Sequence, residues 1–311
     1  MFKSRVRRLD RLRMALVHRL GYFLSSYAFR GSAVLMGHFA RLFLPPASEP
    51  VVIETRYGFR IKIDPVRNRA IDEIIYYYGA YEVGTLAVMK QCLRPGDTFV
   101  DIGSNIGFMS LYASRLVGKT GSVYSLEPSP STFLLLEDNI GLNRSTNIKA
   151  INVAVGSKRG TARLYEDNQS SGDSTLVEPR VDQRNGTAVS VEALDDIATG
   201  SKVPSPRMIK IDVEGWELEV LRGAQNLLRQ PLAPILCIEY SALHPIFGGD
   251  VTEIYADILG VNKYAAYKLR DGKHSVSKLV KINGLDELPQ HDNLFCFLPS
   301  HLETVSPRLF A

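Results

Sequence analysis

The chain has 311 residues, 45% of them apolar and 23% charged, the balance of an ordinary globular protein, which excludes disorder and fibrous repeats. Its net charge of +4 is unevenly placed: residues 1–48 carry nine Lys or Arg against one acid, Asp10, so the rest of the chain is net −4. A main domain of that sign excludes a protein that grips nucleic acid over its whole surface.

The first 48 residues read as a basic, apolar-rich helical extension. Its charge-free stretches reach only about ten residues, against the roughly 20 needed to cross a bilayer. A secretory leader is disfavoured because Arg30 and Arg41 interrupt the later part and no small-residue cleavage site stands out. Two readings stay open: a helical cap packed on the main domain, or an amphipathic surface whose residues 1–45 touch the anionic inner face of a membrane. Pro45, Pro46 and Pro50 end the extension, since proline lacks the amide donor and pushes its predecessor out of the helical region.

Residues 49–93 form a lead-in. Val51–Ile53 and Phe59–Ile63 flank Gly58 as a β-hairpin. The aromatic run Tyr76-Tyr77-Tyr78-Gly79-Ala80-Tyr81-Glu82 reads first as a core or interface stripe and second as a lid. From residue 94 to 311 the pattern becomes that of the main domain. Thr98–Ile102, Ser122–Glu127, Ile148–Val155, Met208–Val213, Ile235–Glu239 and Leu294–Leu298 are apolar runs with little alternation, as expected of strands buried on both faces. Between them, Ser129-Pro130 opens a helix carrying Phe133, Leu134, Leu136 and Ile140, and Glu217–Arg229 repeats the helical spacing until Pro231. Strand, helix, strand in succession gives an α/β fold with a doubly wound sheet. The polar, Gly- and Ser-rich segment 160–200 breaks the rhythm and reads as a hairpin insertion. Cys92, Cys237 and Cys296 form no C-x-x-C pair, which fits a reducing, cytoplasmic compartment.

In an open parallel sheet, ligands bind where the strands end. There the chain runs Asp101-Ile102-Gly103-Ser104-Asn105-Ile106-Gly107, a strand passing into a helix through two glycines. The spacing G-x-x-x-G lacks the dinucleotide fingerprint and the phosphate loop. An acid at this position would repel a pyrophosphate and attract an ammonium; Glu127, ending the next strand, can take both hydroxyls of a ribose. A ribonucleoside carrying an amino acid meets both demands, and S-adenosylmethionine is such a ligand.

The segments VDIGSNIGFMSL (100–111), VYSLEPSPSTFLLLEDNIGLN (123–143), NVAVG (152–156), IKIDVEGWELEVLRGA (209–224) and CIEY (237–240) resemble, in order, the FkbM-type S-adenosylmethionine-dependent methyltransferases. The resemblance covers about residues 94–243. It implies a Rossmann-like class I fold, a mostly parallel seven-stranded sheet with helices on both faces. It further implies that Asp101, Gly103, Ser104, Asn105 and Gly107 surround the methionine part, that Glu127 holds the ribose, and that Val153 and Ala154 lie near the adenine. Ser104 and Trp216 stand where the family more often has alanine. Ser104 is expected to be harmless, and Trp216 to bear on packing or substrate shape.

Such enzymes mostly methylate hydroxyls of sugars or natural products, so the expected acceptor is a small molecule, glycan or glycolipid. An alcohol must lose its proton on transfer. Asp212, then Glu214 and Glu239, are the candidates for base or clamp, with His244 as an accessory. The competing reading has Glu214 capping the helix from residue 216 and Lys210 neutralising the acids. The same four residues could gather Mg²⁺, a reading not favoured over a metal-free site. The alternatives to a methyltransferase are an NAD(P)-dependent oxidoreductase, against which the glycine spacing and Asp101 speak, and a membrane-associated nucleoside-binding module without turnover.

Overall fold

The structure is a computed structural model that describes residues 13–14, 16–18, 42–66, 68, 71–167, 170–177, 186–200, 205–242 and 249–311. In chain order the lead-in forms β1 (Val51–Glu54) and β2 (Arg60–Ile63), then helices α1 (Ile71–Tyr78) and α2 (Val83–Cys92). The main domain follows as β3 (Thr98–Ile102), α3 (Phe108–Val117), β4 (Ser122–Leu126), α4 (Pro130–Asn143), β5 (Ile148–Ile151) and β6 (Ala154–Val155). Residues 160–200 supply β7 (Gly160–Asp167), β8 (Ser170–Thr175), β9 (Thr187–Glu192) and α5 (Leu194–Gly200). After them come β10 (Met208–Ile211), α6 (Glu217–Arg222), α7 (Gln225–Leu228), β11 (Ile235–Ser241), α8 (Thr252–Val261), β12 (Ala265–Leu269), β13 (Leu279–Lys281), β14 (His291–Phe297) and α9 (Pro299–Leu302).

The central sheet has the order β13-β12-β14-β11-β10-β3-β4-β5. From β5 through β11 the neighbours are parallel; β14, β12 and β13 close that end antiparallel. The Rossmann-like expectation holds, with one strand more than seven: the three-residue β13 extends the antiparallel edge. The strand order reverses between β3, from which the chain winds outward to β4 and β5, and β10, from which it winds the other way to β11, while both strands stay parallel. This switch point is where a doubly wound sheet leaves its crevice.

Two expected elements are broken. The run 148–155 splits because Asn152 Nδ2 donates to the carbonyls of Glu127 and Pro128, turning the chain; β6 then pairs in parallel with β9 in a separate sheet ordered β6-β9-β7-β8. The helix 217–229 stops at Gly223, whose carbonyl accepts from Asp195 N, and Asp195 caps the amides of Asn226 and Leu227 to start α7.

Side-chain alternation explains both the core and the site. On one face Phe99, Met208, Cys237 and Phe295 pack under α2 and α3; on the other, Val100, Ile209, Leu236 and Leu294 pack with Leu218 and Ile258. Two residues further along the same strands, the first face bears Asp101, Lys210 and Glu239, with Asn293 opposite Glu239 in register. An apolar base therefore becomes a charged rim at the carboxyl ends of the parallel strands. All three cysteines are buried thiols.

The lead-in joins this body through side-chain amides of α4: Asn139 Oδ1 accepts from Lys62 N at 2.7 Å and Asn143 Oδ1 from Arg60 N at 2.8 Å. Most of the extension, residues 1–12, 15 and 19–41, lies outside the described residues. Within it Met14 and Val17 are buried in the core, and His18 Nε2 bonds to Tyr76 O at 3.0 Å. Among the described residues no helix is long and apolar enough to cross a membrane.

Candidate active site

One cleft lies over the switch point. Asp101, Gly103, Ser104, Asn105, Glu127, Val153, Ala154, Asp212, Glu214, Trp216 and Glu239 all line it. Gly107 stands just behind, at the start of α3, with φ 89°; a Cβ there would come within 2.5 Å of Leu136 Cδ1. His244 lies outside the described residues.

The turn after β3 demands glycine at 103. Its φ is 79°, and a Cβ would sit 1.8 Å from the carbonyl oxygen of Asp212. The main chains leaving β3 and β10 thus touch, which fixes the two carboxyl ends relative to one another. Asn105 also takes a left-handed conformation, φ 48°, and its amide donates to Glu127 Oε2 at 2.9 Å while Ser129 N donates to Glu127 Oε1 at 2.9 Å. Two main-chain donors therefore hold the Glu127 carboxyl against the cleft wall.

Asp101 is 1% exposed and accepts from Ser110 Oγ, which in turn accepts from Ser125 Oγ. Burial pushes its carboxyl up to about 6, although Lys210 and the Ser110 bond pull the other way. A buried anion so incompletely compensated favours a further cation. Ser104 Oγ and Asn105 Oδ1 are buried polar atoms without a hydrogen-bond partner among the described residues. Unmet acceptors, an undercompensated Asp101 and an anchored Glu127 fit a ligand bearing an ammonium at one end and a ribose at the other. Trp216, 9% exposed, lines the cleft together with Leu164 and Leu176 and packs with them in one apolar cluster.

The reactive rim is built from ion pairs. Lys210 Nζ bonds Asp212 Oδ2, and the pair is buried at 4% and 19% side-chain exposure. Burial alone would raise the Asp212 pKa, but Lys210 and Lys273 bring it well below the carboxylate range. Lys273 Nζ lies 2.6 Å from Glu239 Oε1 and 3.1 Å from Glu82 Oε1. Burial and Asp212 push Glu239 up to about 8 against the pull of Lys273. Glu214 leaves the strand in a left-handed turn, φ 49°, so it does not share a strand face with Lys210 and Asp212. Glu217 Oε1 accepts the amides of Val213 and Gly215 in the same turn, both at 3.2 Å.

Ligand oxygens of Asp212, Glu214 and Glu239 lie within 4.8 Å of one another. Two of the three are engaged by lysines, so Mg²⁺ would have to share or displace those partners. The aromatic run divides: Tyr76 and Tyr77 are core, whereas Tyr81 lines the cleft. Sequence reasoning missed Glu82, Lys273 and Asn293. No motif marks them, because they arrive from beyond both ends of the strand–helix pattern.

A sequence model of the methyltransferase FkbM domain matches residues 101–269. Among curated relatives, the chain is 33% identical over 157 residues to the hexuronic acid methyltransferase AglP of Haloferax volcanii, covering 48% of this chain and 58% of that one. It is 31% identical to methyltransferase 1 of Beauveria bassiana, covering 42% and 60%. It is also 31% identical to methyltransferase sdnD of Sordaria araneosa, covering 57% and 76%. The matches thus span about three fifths of the first two relatives' own lengths. A solved structure described as methyltransferase FkbM from Methylobacillus flagellatus superposes with a TM-score of 0.43 and 15% identity, covering 87% of this chain and 72% of that one.

Proposed function

The chain belongs to the FkbM methyltransferase family, and from that premise we propose that it moves a methyl group from S-adenosylmethionine to a hydroxyl of a sugar, glycolipid or natural product. The observation that carries the reading is the pair Asp101 and Glu127 at the ends of adjacent strands in one cleft, with Ser104 Oγ and Asn105 Oδ1 unmet between them. Asp101 would take the ammonium and Glu127 the ribose hydroxyls, with Val153, Ala154 and Trp216 offering apolar surface to the base. When bound, the cofactor supplies a methyl carbon on a sulfonium, whose carbon–sulfur electron pair stays on sulfur as transfer proceeds. The chain's part is to align the acceptor oxygen, which supplies much of the acceleration, and to receive its proton among Asp212 and Glu239.

Calorimetric titration with S-adenosylmethionine against NAD tests the cofactor. Binding of the first and not the second is expected, and Glu127→Ala should weaken it about 10- to 150-fold, the worth of one charge-assisted hydrogen bond. Absence of heat with S-adenosylmethionine would remove the reading. A sugar acceptor is supported by the relative AglP, whose name specifies a hexuronic acid; mass spectrometry of an acceptor pool with labelled donor identifies the product. For residues 1–45 we propose contact with an anionic membrane face, supported by their basic charge and by Leu42 and Phe43, which are 81% and 44% exposed. Flotation with anionic liposomes should be lost when residues 1–45 are removed, and equal flotation would refute the contact.

A further inference from the structure

Two short segments meet at the rim of the cleft, one at the start of α2 and one in the loop after β12. Glu82 Oε1 lies 3.1 Å from Lys273 Nζ, Glu82 Oε2 accepts from Asn293 Nδ2 at 2.9 Å, and Gly84 N donates to Lys273 O at 3.0 Å. A Cβ on Gly84 would come within 2.4 Å of Ser275 O, so the two main chains approach as closely as glycine alone allows.

This junction brings a pair of aromatic rings together. Tyr81 precedes Glu82 and His274 follows Lys273, and their rings meet edge to face, with centroids 5.9 Å apart at 65°. Phe108, the first residue of α3, also meets Tyr81 edge to face, at 6.5 Å and 81°. Glu82 takes a left-handed conformation, φ 42°, which is uncommon for a residue with a side chain. The buried partners of its carboxylate hold it in the interior, while its neighbour Tyr81 is half-buried, packed partly on the core and lining the cleft. Strain kept in place by its surroundings is characteristic of binding sites. Neither the Tyr81 hydroxyl nor a ring nitrogen of His274 has a hydrogen-bond partner among the described residues. His274 and Val276 beyond it are exposed.

Resting on the methyl-transfer reading above, we propose that Tyr81, braced by His274, is the platform on which the acceptor lies, and that the acceptor offers it a sugar ring. The residues expected to hold the donor come from the other half of the cleft: Asp101 and Glu127 from β3 and β4, Val153 and Ala154 after β5. Tyr81 instead adjoins the chain of ion pairs from Glu82 through Lys273 to Glu239, beside the acids expected to meet the acceptor hydroxyl. A pyranose presents a face of C–H bonds edged by hydroxyls. The negative face of an aromatic ring attracts the C–H groups. The Tyr81 hydroxyl, the His274 nitrogens and the carboxylates of Asp212 and Glu239 offer partners to the hydroxyls. A flat, wholly apolar acceptor would strip water from those groups and give nothing in return.

Saturation-transfer NMR on the full chain tests the platform, with the methyl glycosides of glucose, galactose and mannose as probes and methyl 4-hydroxybenzoate as a flat aromatic control. At least one glycoside should be saturated through the protons of one ring face, more strongly than the control. Tyr81→Leu, which keeps apolar bulk and loses the ring, should raise the dissociation constant of that glycoside about five- to tenfold, the worth of one aromatic contact. Tyr81→Phe, which loses only the hydroxyl, should fall between that variant and wild type. His274→Ala, at an exposed position, should also raise the constant and keeps the test open if Tyr81→Leu does not fold. No saturation of any glycoside, an unchanged constant in Tyr81→Leu and His274→Ala, or preference for the flat control would overturn the proposal. Calorimetry with S-adenosylmethionine on the same variants should stay within about twofold of wild type, as for independent sites. Loss of donor binding in Tyr81→Leu alone would assign Tyr81 to the donor's wall and overturn the platform while the methyl-transfer reading stands. Failure of the wild type to bind donor would remove that reading instead, and the glycoside measurement, which needs no donor, still decides the platform.

Discussion

The two halves of the cleft are held by different physics. Around β3 and β4 the polar side chains are fixed by main-chain amides and by hydroxyls: Glu127 by two N–H groups, Asp101 by the Ser110–Ser125 chain. Around β10 and β11 they are fixed by one another, through lysines shared among Asp212, Glu239 and Glu82. The first arrangement can hold a fixed charge pattern for a nucleoside. The second is a set of coupled acids and bases in which each change redistributes protons among the rest.

The strongest way to break the contrast is Gly103→Ala, which drives a methyl into the Asp212 carbonyl and strains a positive φ. Cofactor binding should disappear and stability fall by about 3 kcal/mol or more, seen in calorimetry and denaturant unfolding. A variant melting like wild type would show that the two strand ends do not touch. Next is Lys210→Met, which leaves Asp212 buried without its cation and should cost about 3–5 kcal/mol; adding Asp212→Asn should recover part of that loss, as a paired charge requires.

The pH dependence sharpens the comparison, because Asp101 and Asp212 shift in opposite directions. Asp101, raised to about 6, contributes stability that is full below the ordinary aspartate pKa and lost as pH rises through about 6. Asp212, lowered, contributes stability present above the ordinary aspartate pKa and lost as pH falls through its depressed value. Asp101→Asn should thus gain relative to wild type near neutrality by about 3 kcal/mol, whereas Asp212→Asn should lose; unfolding curves at acid and neutral pH decide, and the same sign for both would erase the distinction. The smallest effect belongs to Ser125→Ala, at the far end of the hydroxyl chain, about 1 kcal/mol by the same measurement. A much larger cost would mean that this half, too, behaves as a coupled network.

The half of the cleft that was legible in sequence is the half built from local segments. Asp101, Gly103, Asn105 and Glu127 follow one another across a single strand–helix–strand unit, and burial on both faces makes such a unit stand out. Lys273 and Glu82 are legible only once β12 and β14 have folded back antiparallel beside β11, a pairing no local period announces. The same limit explains the missed break at Gly223, where the helical spacing continues but Asp195, from another element, takes the capping role. Glu214 was named beside Asp212 as a candidate base or clamp, and it lies on the left-handed turn at 214–215 beyond the end of β10.

The join between the start of α2 and the loop after β12, where Gly84 N donates to Lys273 O at 3.0 Å, also bears on how the protein can be dissected. Both of its halves fall outside residues 101–269, the stretch matched by the family's sequence model. A protein trimmed to that stretch would retain the wall for the nucleoside and lose the ammonium beside Glu239 together with Glu82. The rim around Glu239 is therefore assembled from three separate pieces of chain, one before, one within and one after that stretch.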